Sequence, residues 1–146
     1  MQLFATAIGA ALAAMLVAKT VGQPLLGLLG DHLGRRRVLV LAGGGALAAT
    51  TLMALAPSPP AILAWMVIAG LFTGGVLPLV DAQALADPQL NYGRIRLWGS
   101  VGFALANIGA GALIDAAGRG IIIWLEVAAL ALPALAALSV PGLPPP

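Results

Sequence analysis

The chain has 146 residues, of which 61% are hydrophobic and 8% charged, with a formal net charge of +2 and a mean hydropathy of +1.05. A soluble domain carries about 25% charged residues, so this composition excludes a water-coated globule and specifies an integral membrane protein. The basic balance comes from loop arginines; no basic run is interleaved with aromatics, so nucleic acid is not expected as a partner, and the absence of cysteine removes disulfides, thiolate metal sites and thiol nucleophiles.

A spanning helix takes about 20 residues, so the length admits about five or six. The first apolar run covers residues 3–29, interrupted only by Lys19, Thr20 and Gln23-Pro24. Small residues recur every fourth position at Ala10, Ala14, Ala18 and Gly22, a stripe that lets a second helix approach closely. The most charged stretch follows, from Gly27 through Asp31 and Gly34 to Arg35, Arg36 and Arg37. It reads as a tight turn whose arginines anchor it to one side of the bilayer. The second span is expected over 38–56, with Gly43-Gly44-Gly45 near its start, and Pro57-Ser58-Pro59-Pro60 as the loop that stops it. The third covers 61–85, with Gly70 and Gly74 as a packing face and Pro78 as an expected kink. A polar turn at 86–91 leads through Tyr92 and Arg94 into the fourth span, 96–117. Gly118-Arg119-Gly120 turns into the fifth, 121–140, and a proline-rich tail occupies 141–146.

The loops at 30–37 and 86–96 carry five of the six arginines, which predicts that both are cytosolic. That places the N-terminus outside and the C-terminus inside, an arrangement that would be natural if one more helix preceded Met1. No basic region with a cleavage site opens the chain, so no signal peptide is expected. Richness in Ala, Gly, Leu and Pro suggests a bacterial source.

A charge at the bilayer centre costs about 2.5–3.5 kcal/mol on insertion scales, and charges that persist there face a cavity or a partner. Asp81 and Arg96 stand at similar depth on neighbouring antiparallel helices. They can form a charge-assisted pair, bind polar groups of a substrate, or clamp two helices. Ser100, Phe103 and Asn107 follow Arg96 at offsets of four, seven and eleven and share its face, as a cavity lining or as a helix–helix hydrogen-bonding stripe. Lys19 lies about 15 Å from the expected inner end of its helix, with Gln23 one turn on. Glu126, two turns into the last helix, is a candidate proton-titrating group or an interfacial residue. No Ser/His or Glu/His pair is present and His32 stands alone, so neither an enzyme, a metal site nor a cofactor is expected.

Two separated segments resemble one superfamily. Gln23-Pro24-Leu25-Leu26-Gly27-Leu28-Leu29-Gly30-Asp31-His32-Leu33-Gly34-Arg35-Arg36 resembles the loop between helices two and three of major facilitator transporters of the lactose-permease type. Pro78-Leu79-Val80-Asp81 followed by Tyr92-Gly93-Arg94-Ile95-Arg96-Leu97-Trp98-Gly99-Ser100 resembles helices four and five, most closely in the phenylpropionate-permease and nucleoside–proton symporter branch. The resemblance covers about residues 8–140, helices two to six of the N-terminal half.

The resemblance implies an all-α polytopic bundle in the bacterial cytoplasmic membrane, and transport of a small polar or organic solute by proton-coupled symport as part of a larger carrier. It implies substrate-side roles for Asp81 and Arg96, with Ser100, Phe103 and Asn107 lining the cavity. Gly27, Asp31, Gly34, Arg35 and Arg36 would serve the cytosolic gate, and Lys19, Gln23 and Glu126 would be secondary polar candidates. Asp and Phe stand where the lactose permease has Glu and Trp, so a sugar preference does not carry over. The Gly-Pro pattern of antiporter helix five is absent, which favours symport or uniport. Helix one and the C-terminal half are unmatched. The expected partners are therefore a solute, protons, the lipid bilayer, and either that missing half or another chain. The rival expectation is a non-transporting truncated fragment, or a small membrane subunit that pairs with another chain.

Overall fold

The computed structural model describes residues 2–139, and the described residues are all helix and turn, with no strand. Five helices follow one another antiparallel: α1 Gln2–Leu33, α2 Arg35–Ala54, α3 Pro59–Ala86, α4 Tyr92–Ala117 and α5 Ile122–Ser139, the last preceded by a 3-10 turn at Arg119–Ile121. All five are long and apolar enough to cross a membrane. The expected tail, residues 141–146, lies outside the described residues.

The charged turn is tighter than the sequence predicts. α1 continues through Pro24 and through Gly27–Leu33, and α2 starts at Arg35 rather than Val38, so the connection is the single residue Gly34. Gly34 sits at φ 90, a region that a β-carbon makes costly. Its N–H still donates to the Gly30 carbonyl at 3.1 Å, and its own carbonyl accepts from Val38 N at 3.2 Å. Both helices are therefore closed at their ends by one glycine. The three arginines form the first turn of α2, where the helix dipole disfavours cations. Two of them escape that cost by reaching carbonyls of other helices, described below.

The other boundaries move for equally local reasons. Pro59 and Pro60 belong to the first turn of α3 instead of the loop, since proline lacks only a donor that this turn leaves unused. α3 ends at Ala86 because Asp87 precedes Pro88, which biases it to extended backbone (φ −97, ψ 108). Asp87 Oδ1 accepts from Gln89 N at 2.9 Å, and Asn91 Oδ1 caps α4 by accepting from Arg94 N at 3.1 Å. α4 thus begins at Tyr92, one turn before Arg96.

Packing runs α1 on α3, α3 on α2, and α2 on α5. The α1–α3 contact is made backbone to backbone. A β-carbon at Gly22 would strike the Leu71 carbonyl, and one at Gly74 would strike the Lys19 carbonyl. Ala18 and Gly22 of the predicted small-residue stripe are buried there; Ala10 and Ala14 are exposed. A compact core of Leu26, Val38, Leu39, Ala42 and Leu79 joins α1, α2 and α3 near the arginine end. α4 is the least packed helix: none of its residues is buried, it touches α5 and the 3-10 turn, and its one ion pair reaches α3. Exposed Leu105, Ile108 and Leu113 on α4, like Leu12 and Val17 on α1, present apolar surface suited to lipid or to other helices.

Candidate functional site

The antiparallel order brings the Gly34 turn, the 87–91 loop and the end of α5 to one end of the bundle, with five of the six arginines. The polar site lies where α3 crosses α1. Gly74 has no side chain, so α1 rests on α3 at Lys19. Below that crossing lies a cavity of about 240 Å3, lined from α1 by Lys19 and Gln23 and from α3 by Thr73, Gly74, Leu77, Pro78 and Asp81. Each helix contributes by its own periodicity: Lys19 and Gln23 are one turn apart, and Thr73, Leu77 and Asp81 follow one another at intervals of four. α3 continues through Pro78, which has no N–H to donate to the Gly74 carbonyl, so the helix loses one regular hydrogen bond beside the cavity.

Arg96 reaches this site from α4. Its Nη1 lies 3.5 Å from Asp81 Oδ2, the one ion pair among the described residues. The side chains are 28% exposed for Asp81 and 55% for Arg96, so both remain open to a third group. Asp81 is thus engaged on two sides, facing the α1 residues across the cavity and bonded to Arg96. Lys19 lies fourteen residues before the end of α1 because that helix runs to Leu33. That is about 21 Å of helix, deeper than the sequence boundary implies. Lys19 has no ion-pair partner among the described residues.

The remaining predicted residues are placed as follows. Ser100 and Asn107 face outward on α4 and hydrogen-bond their own helix, Ser100 Oγ to the Arg96 carbonyl at 3.0 Å and Asn107 Nδ2 to the Phe103 carbonyl at 2.8 Å. Phe103 is 73% exposed. These three share a face with Arg96 and, like Arg96, are not among the residues lining the α1–α3 cavity. Glu126 is exposed on α5 and lies away from the cavity lining.

In the turn, Asp31 is exposed, Gly27 lies within α1, and Gly34 makes the connection. Arg35 Nη1 donates to the Ala82 carbonyl of α3 at 3.2 Å, and Arg36 Nη2 to the Leu138 carbonyl of α5 at 2.8 Å. Thr73 is the cavity residue that the sequence reading passed over. Its spacing from Asp81 was visible, but a threonine in an apolar helix carries little signal alone, since it satisfies its hydroxyl on its own helix. Here it donates to the Ala69 carbonyl at 2.9 Å.

Comparison with known proteins gives a consistent answer. Residues 1–145 match the MFS_1 like family. The chain is 32% identical over 148 residues to the maltose permease of Geobacillus stearothermophilus, covering 98% of this chain and 37% of that protein. It is 34% identical over 110 residues to the multidrug efflux pump LfrA of Mycolicibacterium smegmatis, covering 71% of this chain and 20% of that protein. The chain therefore spans little more than a third of one curated relative and a fifth of the other. No solved structure gives a significant match. A family match over nearly the whole chain, five membrane-length helices and the paired motifs at 23–36 and 78–100 together place the chain in the MFS_1 like family of major facilitator transporters.

Proposed function

We propose that this chain works as part of a larger carrier that moves a small polar or organic solute across a bacterial inner membrane, coupled to protons in symport. The observation that carries the reading is the Asp81–Arg96 pair, standing beside a polar cavity in an otherwise apolar bundle. Ionisable residues within membrane-spanning helices are costly to place and mark a functional site or an internal partner. As a solute site the pair supplies a guanidinium fork and a carboxylate that can be redistributed onto a substrate's polar groups. The share of the curated relatives that the chain spans supports a carrier whose other cavity wall is made elsewhere. In that arrangement the solute lies between repeats near the midplane and access alternates by rocking.

The test uses the intact gene product in energised vesicles. Labelled sugars, including maltose, and organic acids and cations are screened for uptake, and medium alkalinisation on solute addition reports proton symport. Arg96→Ala is expected to lower uptake at least a hundredfold with membrane levels unchanged. Undiminished uptake overturns the site assignment, and uptake with no pH change overturns proton coupling.

The unpacked surface of α4 favours a second reading, a small membrane subunit that pairs with another chain. Blotting the tagged protein from its own locus separates the two. A product near 14.5 kDa that co-purifies with a second membrane protein supports pairing, and a much longer product supports the single-chain carrier.

A further inference from the structure

We propose that the α1–α3 cavity receives the negative group of a monoanionic solute, a carboxylate in the simplest case, held between the Lys19 ammonium and the Arg96 guanidinium. This rests on the reading of the cavity as a solute site and adds its charge class. Lys19 lines the cavity and Arg96 borders it through its pair with Asp81, two cations against one carboxylate. Arg96 is paired with Asp81 at 3.5 Å, whereas Lys19 lines the cavity with no ion-pair partner among the described residues. Among the described residues, α1, α2 and α3 supply no further compensation close to Lys19. Asp81 is the only ionisable residue on α3, and α2 carries only arginines, all in its first turn. The one acid of α1, Asp31, lies twelve residues beyond Lys19, about 18 Å along the helix.

Lys19 is fixed in this position by its backbone. Its carbonyl is seated against Gly74, so the side chain has the cavity as its polar surroundings, with Gln23 and Thr73 at hand. The residues of this chain therefore bring one positive charge more to the site than they balance, which favours an arriving anion. A neutral solute leaves Lys19 uncompensated, and a cationic solute adds to the excess. A monoanion brings the count to zero, takes the planar fork of Arg96 on one edge and the ammonium on the other, and leaves Asp81 to share Arg96. Leu77 and Pro78 provide apolar contact for the body of such a solute.

The test reads the charge of the cavity directly. The chain contains no cysteine, and any others in the intact gene product are replaced. Leu77, which lines the cavity and is exposed, is changed to cysteine. A reference cysteine replaces Leu55, exposed in a loop without charged residues. Each is reacted with an anionic and a cationic methanethiosulfonate of similar size, the sulfonatoethyl and trimethylammonioethyl reagents.

The anionic reagent is expected to be favoured at Leu77→Cys over the reference by about tenfold. Adding Lys19→Gln should abolish most of that preference, and Lys19→Arg should retain it. Equal or faster labelling by the cationic reagent, or a preference that Lys19→Gln leaves unchanged, overturns the charge assignment while leaving a solute site in place. Failure of both reagents to reach Leu77→Cys while labelling the reference removes the water-accessible cavity itself, and with it both this inference and the solute-site reading.

Discussion

The guanidinium of Arg35 donates a hydrogen bond to the carbonyl oxygen of Ala82 at 3.2 Å, one residue beyond Asp81. The turn that starts α2 is thereby tied to the same helical turn of α3 that carries the candidate site. Arg36 makes the equivalent tie to α5, on the Leu138 carbonyl in the last described turn of that helix. The Arg35 cation at the C-terminal end of α3 also meets the negative end of that helix dipole. The arginine cluster thus does more than anchor the turn to one side of the bilayer: it laces three helix ends together. Arg35→Gln is expected to destabilise the bundle by about 1 kcal/mol, seen as a lower midpoint of thermal unfolding in detergent. Arg37, which has no such bond among the described residues, serves as the control, and Arg37→Gln should leave the midpoint unchanged.

Close packing between α1 and α3 predicts a sharp contrast among glycines. Gly22→Ala and Gly74→Ala force a methyl group against backbone carbonyls of the facing helix. Each should cost about 1–3 kcal/mol, the usual penalty of overpacking. Gly44→Ala and Gly99→Ala meet nothing within 4 Å and should be neutral or slightly stabilising in a helix. The yield of monodisperse protein after solubilisation ranks the four. Equal yields would show that the two helices are not in backbone contact.

Thr50 is fully buried in α2, and its hydroxyl has no hydrogen-bond partner among the described residues. Replacing it with valine keeps the shape and removes an unsatisfied polar group. Thr50→Val should therefore stabilise the protein by about 1 kcal/mol, while Thr51→Val, which loses a bond to the Leu47 carbonyl, should not. Thermal unfolding of the two variants side by side decides it.

The Asp81–Arg96 pair separates stability from activity. A double-mutant cycle of Asp81→Asn and Arg96→Gln measures how strongly the pair couples in the folded protein, and a solute site predicts a small coupling energy. Loss of solute uptake in either single variant should be far larger than that stability change can explain. A coupling of several kcal/mol, with uptake falling only in step with folded protein, would instead assign the pair to holding α3 and α4 together.

Topology offers a last check. Five of six arginines lie at one end of the bundle, so reporters fused after Leu90 should be cytosolic and reporters fused after Gly118 external. Replacing Arg35, Arg36 and Arg37 together with Gln should produce a mixed population of orientations, read by protease accessibility in sealed vesicles.

Much of this protein was determined by the order of its residues alone. Apolar runs of membrane length separated by Gly34, Asp87-Pro88 and Gly118 specify five helices, because each break is a local event: a positive φ, a residue forced extended before proline, a glycine at a helix end. Alternation of direction then places Asp81 and Arg96 at similar depth without any knowledge of packing. The charged turn was misjudged in extent, since polar residues suggest a loop, and nothing local reveals that Arg35 and Arg36 can stay helical by bonding distant carbonyls. Tertiary structure decided the membership of the cavity. Lys19 and Gln23 join Asp81 because Gly74 and Gly22 let α1 lie against α3, while Ser100, Phe103 and Asn107, though on the face of Arg96, stay exposed on α4 outside that cavity. Helical periodicity fixes which residues share a face; only the meeting of two backbones decides what that face looks upon.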